Sequence, residues 1–312
     1  MVHSKRAIVI SGPTATGKTA LGVELCLRMG GEVISADSMQ IYRRLDIGTA
    51  KVTPEETRGV PHHMVDIAEP DEDFSVSRYV DMAAAAGEDI FSRGKTPVIV
   101  GGTGLYIDSL LSGRDFAQSE GNGELRARLS AEYDAAGGEA FREKLRAVDP
   151  ERAAKLAPAD KKRLVRAMEI YLLTGQTITE HDRATQSIPA RWDSVRFALT
   201  YADRDALYAR IDARVDEMVR RGLFEEIDSL LRDGKISRSS TSMQAIGYKE
   251  ALACLCGEGS MADAIAAIKQ NSRRYAKRQL TWLRRDPELH WIVWDGTPDI
   301  SAAADTVMEI VG

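Results

Sequence analysis

Residues 12–19 read Gly-Pro-Thr-Ala-Thr-Gly-Lys-Thr, the spacing G-x-x-x-x-G-K-[ST], and the flanks make that spacing specific. The apolar run Ala7–Ser11 precedes it and the amphipathic stretch Lys18–Met29 follows it. Strand, glycine turn and helix in that order bring backbone N–H groups onto phosphate oxygens at a helix N-terminus. A chance glycine turn would satisfy the spacing but not both flanks. Gly12, Pro13, Thr14, Ala15, Thr16 and Gly17 are expected to form the cradle. Lys18 would neutralise phosphate charge, and the Thr19 hydroxyl would hold Mg²⁺. A chain that opens this way is expected to build the α/β parallel sheet of the P-loop nucleoside-triphosphate-hydrolase-like class.

The rest of the chain divides into three parts on the same logic. Residues 1–113 continue the alternation, with strand-like Glu32–Ser35 and Thr96–Val100 and the helical stretch Val76–Ser92. Residues 114–195 carry almost no strand signal. Their helical patches are Glu124–Ala136, Gly138–Ala147 and Asp160–Leu173, the last with Leu164, Met168 and Tyr171 at helical spacing. This part is expected to be a helical insertion. Residues 196–312 return to the core, through strand-like Val195–Thr200 and His290–Trp294 and a long helix from about Met261 to Arg285. The run Ala7–Ile10 is too short for a signal-peptide core or a membrane span, so a cytoplasmic protein with no membrane partner is expected. Cys26, Cys254 and Cys256 are too few for a disulfide framework and lack zinc-ligand spacing. The formal charge of −5 counts against a nucleic-acid partner, yet Arg273 to Arg285 holds six basic residues and no acidic one. Net charge therefore does not exclude RNA.

Two further positions carry chemistry. ATP-hydrolysing relatives of the P-loop place an acid at the end of a later strand. Here Pro97–Val100 runs instead into Gly101-Gly102-Thr103-Gly104, either a ligand-contacting turn or a plain strand-to-helix connection. The strand Val33–Ser35 leads to Ala36-Asp37-Ser38-Met39-Gln40-Ile41-Tyr42. Ligands of open α/β sheets sit beyond the carboxyl ends of the strands, so Asp37 would face the P-loop as a base or metal ligand. A turn cap, which aspartate also favours, is the alternative. His62 and His63 have no partners at ligand spacing and are expected to be structural.

These segments, with Asp46–Lys51, Pro61-His62-His63, Lys162–Glu169, Ala245–Tyr248 and Ala276–Trp282, resemble the tRNA dimethylallyltransferases in one collinear order from about residue 7 to 294. The resemblance implies transfer of a dimethylallyl group from dimethylallyl pyrophosphate to N6 of adenine 37 in the tRNA anticodon stem-loop. It implies Asp37 as general base, Thr103 as the hydroxyl that orients it, and Arg214 as a further pyrophosphate ligand; an ion pair with Asp212 or Glu217 is the alternative for Arg214. The P-loop would then hold a departing pyrophosphate with Mg²⁺ rather than ATP. The tRNA would be gripped by Ser38, Met39, Gln40 and Thr103 near the base, by Lys162, Arg163, Leu164, Val165 and Arg166 from the insertion, and by Arg273, Arg274, Lys277 and Arg278 from the long helix. Tyr275, Trp282, Trp291 and Trp294 are expected to pack in the core. The ending soon after Trp294, without a zinc-finger extension, fits a bacterial-type enzyme, expected to be a monomer. A prenyltransferase for free adenine nucleotides would share Asp37 and Thr103 but not need two basic clusters. A kinase would share the P-loop alone, and a non-catalytic RNA-binding module would have no use for either.

Overall fold

The computed structural model describes residues 5–113, 122–185 and 188–312. They form two compact units: the first runs to Leu111 and resumes as Arg191–Gly312, and the second is Ser112–Ala190. The chain re-enters the first unit at Arg191, a few residues before position 196. There Arg191 donates its N–H to Leu111 O at 2.9 Å, and Trp192, almost fully buried, donates Nε1 to Glu88 at 2.8 Å.

The first unit is built on six strands, β1 (Arg6–Ser11), β2 (Glu32–Ala36), β3 (His62–His63), β4 (Pro97–Gly101), β5 (Asp193–Tyr201) and β6 (His290–Trp294). Their order is β3-β2-β4-β1-β5-β6, and every pairing is parallel. Parallel sheets are covered on both faces, so inner strands read as unbroken apolar runs rather than alternating ones. Ala7, Ile8, Val9 and Ile10 of β1 are all fully buried, and β4 supplies Val98, Ile99 and Val100 beside them. Helix Lys18–Met29 packs Leu21, Val23 and Leu25 onto this sheet, with Leu207, Ile211, Ala303 and Val307 closing the same core. Gly22 of that helix has no room for a side chain: a Cβ there would lie 2.5 Å from Val100.

β3 is two residues long, too short to carry a periodic signal. Its His63 explains itself through charge: Glu32, 2% exposed, accepts from His63 Nε2, Arg93 Nη2 and Lys95 Nζ, each at 2.8 Å. These donors, Arg93 first, hold the Glu32 carboxyl far below the usual range.

The second unit consists, among its described residues, of helices Gly123–Ala136, Gly138–Arg146, Pro150–Lys155, Lys161–Thr174 and Ile178–Thr185. Its own core is Leu129, Phe141, Leu145, Leu156, Leu164 and Met168. Asp149, buried at 3% exposed, caps one of these helices through Arg152 N at 3.0 Å and ties in Thr179 through Oγ1 at 2.6 Å.

Candidate active site

The P-loop follows β1, and its shape is dictated by what surrounds it. Gly12 has φ +147°, and a Cβ there would lie 2.6 Å from Leu199 O of the neighbouring strand β5. Gly17 has φ +87° and Ala15 φ +66°, both in the left-handed region. Thr16 Oγ1 donates to Pro13 O at 2.8 Å, closing the loop on itself. Trp294 Nε1, from β6, donates to Thr16 O at 2.9 Å. That bond anchors the loop to β6 through the Thr16 carbonyl. Lys18 Nζ reaches back across the loop to Pro13 O at 2.6 Å.

Lys18 lies in a poor place for a charge. Its pKa is lowered to about 7, first by burial and then by the Arg214 guanidinium, with Asp37 pulling the other way. Burial likewise lowers the pKa of Arg214, against the pull of Asp37 and Glu56. Arg214 Nε is buried without a hydrogen-bond partner, and Arg214 makes no ion pair among the described residues. Two cations converge beside a phosphate-shaped loop with no anion to pair them fully, which is the electrostatic signature of an anion site.

Asp37 leaves β2 and faces the same space. Its Oδ1 accepts from Met39 N at 2.8 Å and Gln40 N at 3.4 Å, so it does cap a turn. No hydrogen bond to Oδ2 is made among the described residues, so one oxygen fixes the carboxylate and the other is available. Thr103 N donates to Ala36 O at 3.1 Å, and Thr103 Oγ1 accepts from Ser38 N at 3.1 Å. The glycines around Thr103 are there for packing. A Cβ on Gly101 would lie 2.2 Å from Ala36 O, on Gly102 2.1 Å from Gln279 Nε2, and on Gly104 2.4 Å from the Trp282 ring.

Together these groups bound a cavity of about 750 Å³. Thr14 to Thr19, Asp37 to Gln40, Arg214 and Arg278 line it; Gly12, Pro13, Thr103, Arg273, Arg274 and Lys277 do not. The cavity also takes in residues that sequence reasoning passed over. Ser272, Tyr275 and Gln279 stand on one face of helix Met261–Leu283, a spacing visible in the sequence. Tyr275, expected in the core, borders the cavity instead. Its pKa is raised to about 12, by burial and then by Asp37. Residues 47–52 and His62 form another wall. His62 Nδ1 donates to Val60 O at 2.9 Å, and among the described residues Nε2 is buried without a partner.

The basic clusters separate into paired and unpaired cations. Arg273 Nη1 sits 2.5–2.6 Å from both carboxylate oxygens of Asp212, which ties two helices together. Arg274, Lys277 and Arg278 are exposed and make no ion pair among the described residues. In the second unit Lys162 is exposed, Arg163 pairs with Asp160 at 3.1 Å and Arg166 with buried Glu169 at 2.9 Å. Leu164, fully buried, and Val165, 4% exposed, are part of that unit's core, so the expectation that they touch RNA is corrected: their side chains are consumed by packing.

Among the described residues no group of three or more His, Cys, Asp or Glu side chains could hold a metal ion. None of their helices is long and apolar enough to cross a membrane.

Comparison with known proteins agrees with this geometry. The IPP transferase family model matches residues 40–286, and the isopentenyl transferase model matches residues 5–67. The tRNA dimethylallyltransferase of Caldanaerobacter subterraneus subsp. tengcongensis is 44% identical over 97% of this chain and 96% of its own. That of Bacillus licheniformis is 46% identical over 94% and 92%. Among solved structures, the tRNA isopentenylpyrophosphate transferase of Bacillus halodurans superposes with a TM-score of 0.72 at 40% identity, covering 98% of this chain and 96% of that one. A eukaryotic dimethylallyltransferase acting on tRNA superposes with a TM-score of 0.83 at 31% identity, covering 99% and 80%. The chain belongs to the tRNA dimethylallyltransferase family, the IPP transferases.

Proposed function

We propose that the protein transfers the dimethylallyl group of dimethylallyl pyrophosphate to N6 of adenine 37 in the anticodon stem-loop of tRNA. The observation that carries this is one cavity in which a P-loop, Lys18 and Arg214 face an aspartate with a free oxygen, while β4 ends in glycines rather than a hydrolytic acid.

In the reaction the N6 lone pair attacks the allylic carbon, the carbon–oxygen bond to the pyrophosphate breaks, and the pyrophosphate leaves with the bonding electrons. The loop N–H groups, Lys18 and Arg214 stabilise the charge that grows on the leaving oxygens. Asp37 Oδ2 takes the N6 proton while Oδ1 stays anchored to the turn, so the base does not reorient during the step. The Thr103 hydroxyl, anchored by Ser38 N, supports that turn from the β4 side.

The residues present fit Mg²⁺ bound mainly through ligand and water oxygens. Thr19 supplies a hydroxyl at the helix start, Asp37 borders the same cavity, and the described residues build no all-protein cage. When bound, the ion would neutralise charge on the pyrophosphate. The adenine must leave the stacked anticodon loop to reach the cavity, at a cost of a few kcal/mol. Arg274, Lys277 and Arg278, which make no ion pair among the described residues, would hold the phosphate backbone meanwhile; Lys162, in the other unit, is exposed as well. This reading places the enzyme with tRNA in the cytoplasm, acting as a monomer.

The test incubates the protein with dimethylallyl pyrophosphate and Mg²⁺, offering an unmodified stem-loop carrying adenine 37, AMP or ATP. Mass spectrometry should show one five-carbon group on the stem-loop, with the rate lowered about 10²–10⁴-fold in Asp37→Asn. Prenylated AMP with untouched RNA, or ATP consumed with no prenylated product, would overturn the assignment.

A further inference from the structure

We propose that Glu226, together with Tyr248, is a positioning residue for the transfer reaction. It fixes the loop at residues 46–51 and, through Gln40, the turn that carries Asp37. The inference rests on the function proposed above.

Glu226 lies on helix Leu223–Arg232, outside the cavity wall. Its carboxylate is gathered into the loop. Oε2 accepts from Asp46 N at 2.9 Å and Ile47 N at 2.7 Å, and Oε1 accepts from Gly48 N at 3.4 Å and from the Tyr248 hydroxyl at 2.5 Å. Three consecutive N–H groups aimed at one carboxylate form an anion-binding concavity, and here the anion is the protein's own. Tyr248 is fully buried, and its ring fills the space beside Gly48, where a Cβ would lie 2.4 Å from Cε2. A glycine is needed at 48 because the ring takes the side chain's place.

The far side of this loop faces the site. Ile47, Thr49 and Ala50 line the cavity, and Ala50 holds φ +45°, a conformation that an alanine keeps only when its surroundings impose it. Thr49 O and Ala50 O both accept from Gln40 Nε2 at 3.3 Å, while Gln40 Oε1 accepts from Ser35 Oγ at 3.3 Å. The Gln40 backbone N–H in turn donates to Asp37 Oδ1. A continuous set of hydrogen bonds therefore runs from Glu226 through the 46–50 backbone and Gln40 to the oxygen that anchors the proposed base. Lys51 clamps the loop's other end, with Nζ on Tyr42 O at 2.8 Å and on both Asp46 and Asp66 at 2.5 Å.

Among the described residues no hydrogen bond joins this network to the P-loop, which is packed against β5 and tied to β6. Loss of Glu226 should therefore degrade the transfer step while leaving pyrophosphate binding intact. A residue that merely holds the fold together would harm both.

The experiment makes Glu226→Gln in the full chain, alone and combined with Asp37→Asn. It measures kcat for stem-loop prenylation at saturating substrates, and the Kd for pyrophosphate. The glutamine keeps the shape but presents an amide donor toward N–H groups that already donate. The expected result is a tenfold or greater fall in kcat with a Kd unchanged within twofold. In the Asp37→Asn background the same substitution should cost less than twofold, because its route of action is already removed. An unchanged kcat, a Kd that rises in step with the loss of kcat, or a full additional loss in the Asp37→Asn background would each overturn the proposal. Should Glu226→Gln fail to fold, Tyr248→Phe keeps the ring over Gly48 and removes only the hydroxyl; it is expected to lower kcat about threefold with the same Kd, and no loss would refute the pair's role. Wild-type protein that prenylates no RNA would instead count against the function itself.

Discussion

Raising the pH should loosen the hold of this site on pyrophosphate, and Lys18 sets where the loosening begins. In the free protein its pKa lies at about 7, lowered from 10.5 by burial and by Arg214. Above pH 7 it is therefore mostly an uncharged amine, bonded to Pro13 O. A bound pyrophosphate favours the ammonium and raises that pKa. The bound value being the higher, association takes up a proton above pH 7, and the association constant falls as pH rises from there. Below pH 7 the ammonium is already formed, and this group contributes no pH dependence. Each unit between the free and bound pKa values is worth about 1.4 kcal/mol, a factor of ten; with half of Lys18 already uncharged at pH 7 and a bound pKa restored to about its ordinary value, Lys18 alone weakens binding about 50-fold between pH 7 and 9. Deprotonation of the ligand strengthens binding over the same range and must be separated. Lys18→Arg does this, because a guanidinium stays charged throughout. Titration calorimetry with pyrophosphate from pH 6 to 9, in two buffers of different protonation enthalpy, would give both affinity and proton uptake. The wild-type to variant affinity ratio should be level below pH 7 and fall above it, with uptake of about half a proton at pH 7 and nearly one at pH 9. A level ratio to pH 9 with no proton uptake would refute the argument that Lys18 is held mostly uncharged.

Four other outcomes follow from the geometry. Trp294→Phe removes the donor to Thr16 O; it should cost about 1 kcal/mol in urea denaturation and raise the Kd for pyrophosphate several-fold, since the loop loses its outward tie. Gly101→Ala would drive a methyl to 2.2 Å from Ala36 O; a loss of about 1–3 kcal/mol in denaturation is expected, with a fall in kcat because Asp37 is the next residue. Lys277→Gln should reduce the slope of log K against log salt for stem-loop binding by about 1 at constant pyrophosphate affinity. Arg273→Gln, which breaks the pair with Asp212, should lower the melting temperature instead.

What the sequence made legible was local. The P-loop announces itself because strand, turn and helix are contiguous, and the helical insertion because it lacks strand patterning. Asp37 was placed at the site by the rule that ligands gather beyond strand ends, and the structure shows that cap and free oxygen belong to one carboxylate. Residues whose relevance arises from tertiary contact were illegible. Gln279, inside the family-like segment Ala276–Trp282, reaches Gly102 O across 177 positions, and Glu226, which has no motif, reaches Ile47 N across 179; nothing local announces either contact. β3 is too short for periodicity to detect. The assignment of Leu164 to RNA contact overrode a signal already present, because its spacing with Met168 marked a buried helix face. Arg273, Arg274 and Lys277 look alike in a charge count, and only the position of Asp212 distinguishes the first.

The tie from Trp294 to the P-loop also bears on how the enzyme is made. Thr16 leaves the ribosome before its partner, which comes 278 positions later. At about 5–20 residues per second, roughly 15–55 s separate their synthesis. Until β5 is made β1 lacks that neighbour, and throughout the interval the loop lacks the indole bonded to Thr16 O. An emerging chain can thus close its helical unit early, but its phosphate cradle is completed only when nearly all of these residues have been made. Partly synthesised chains would be poor competitors for the allylic donor.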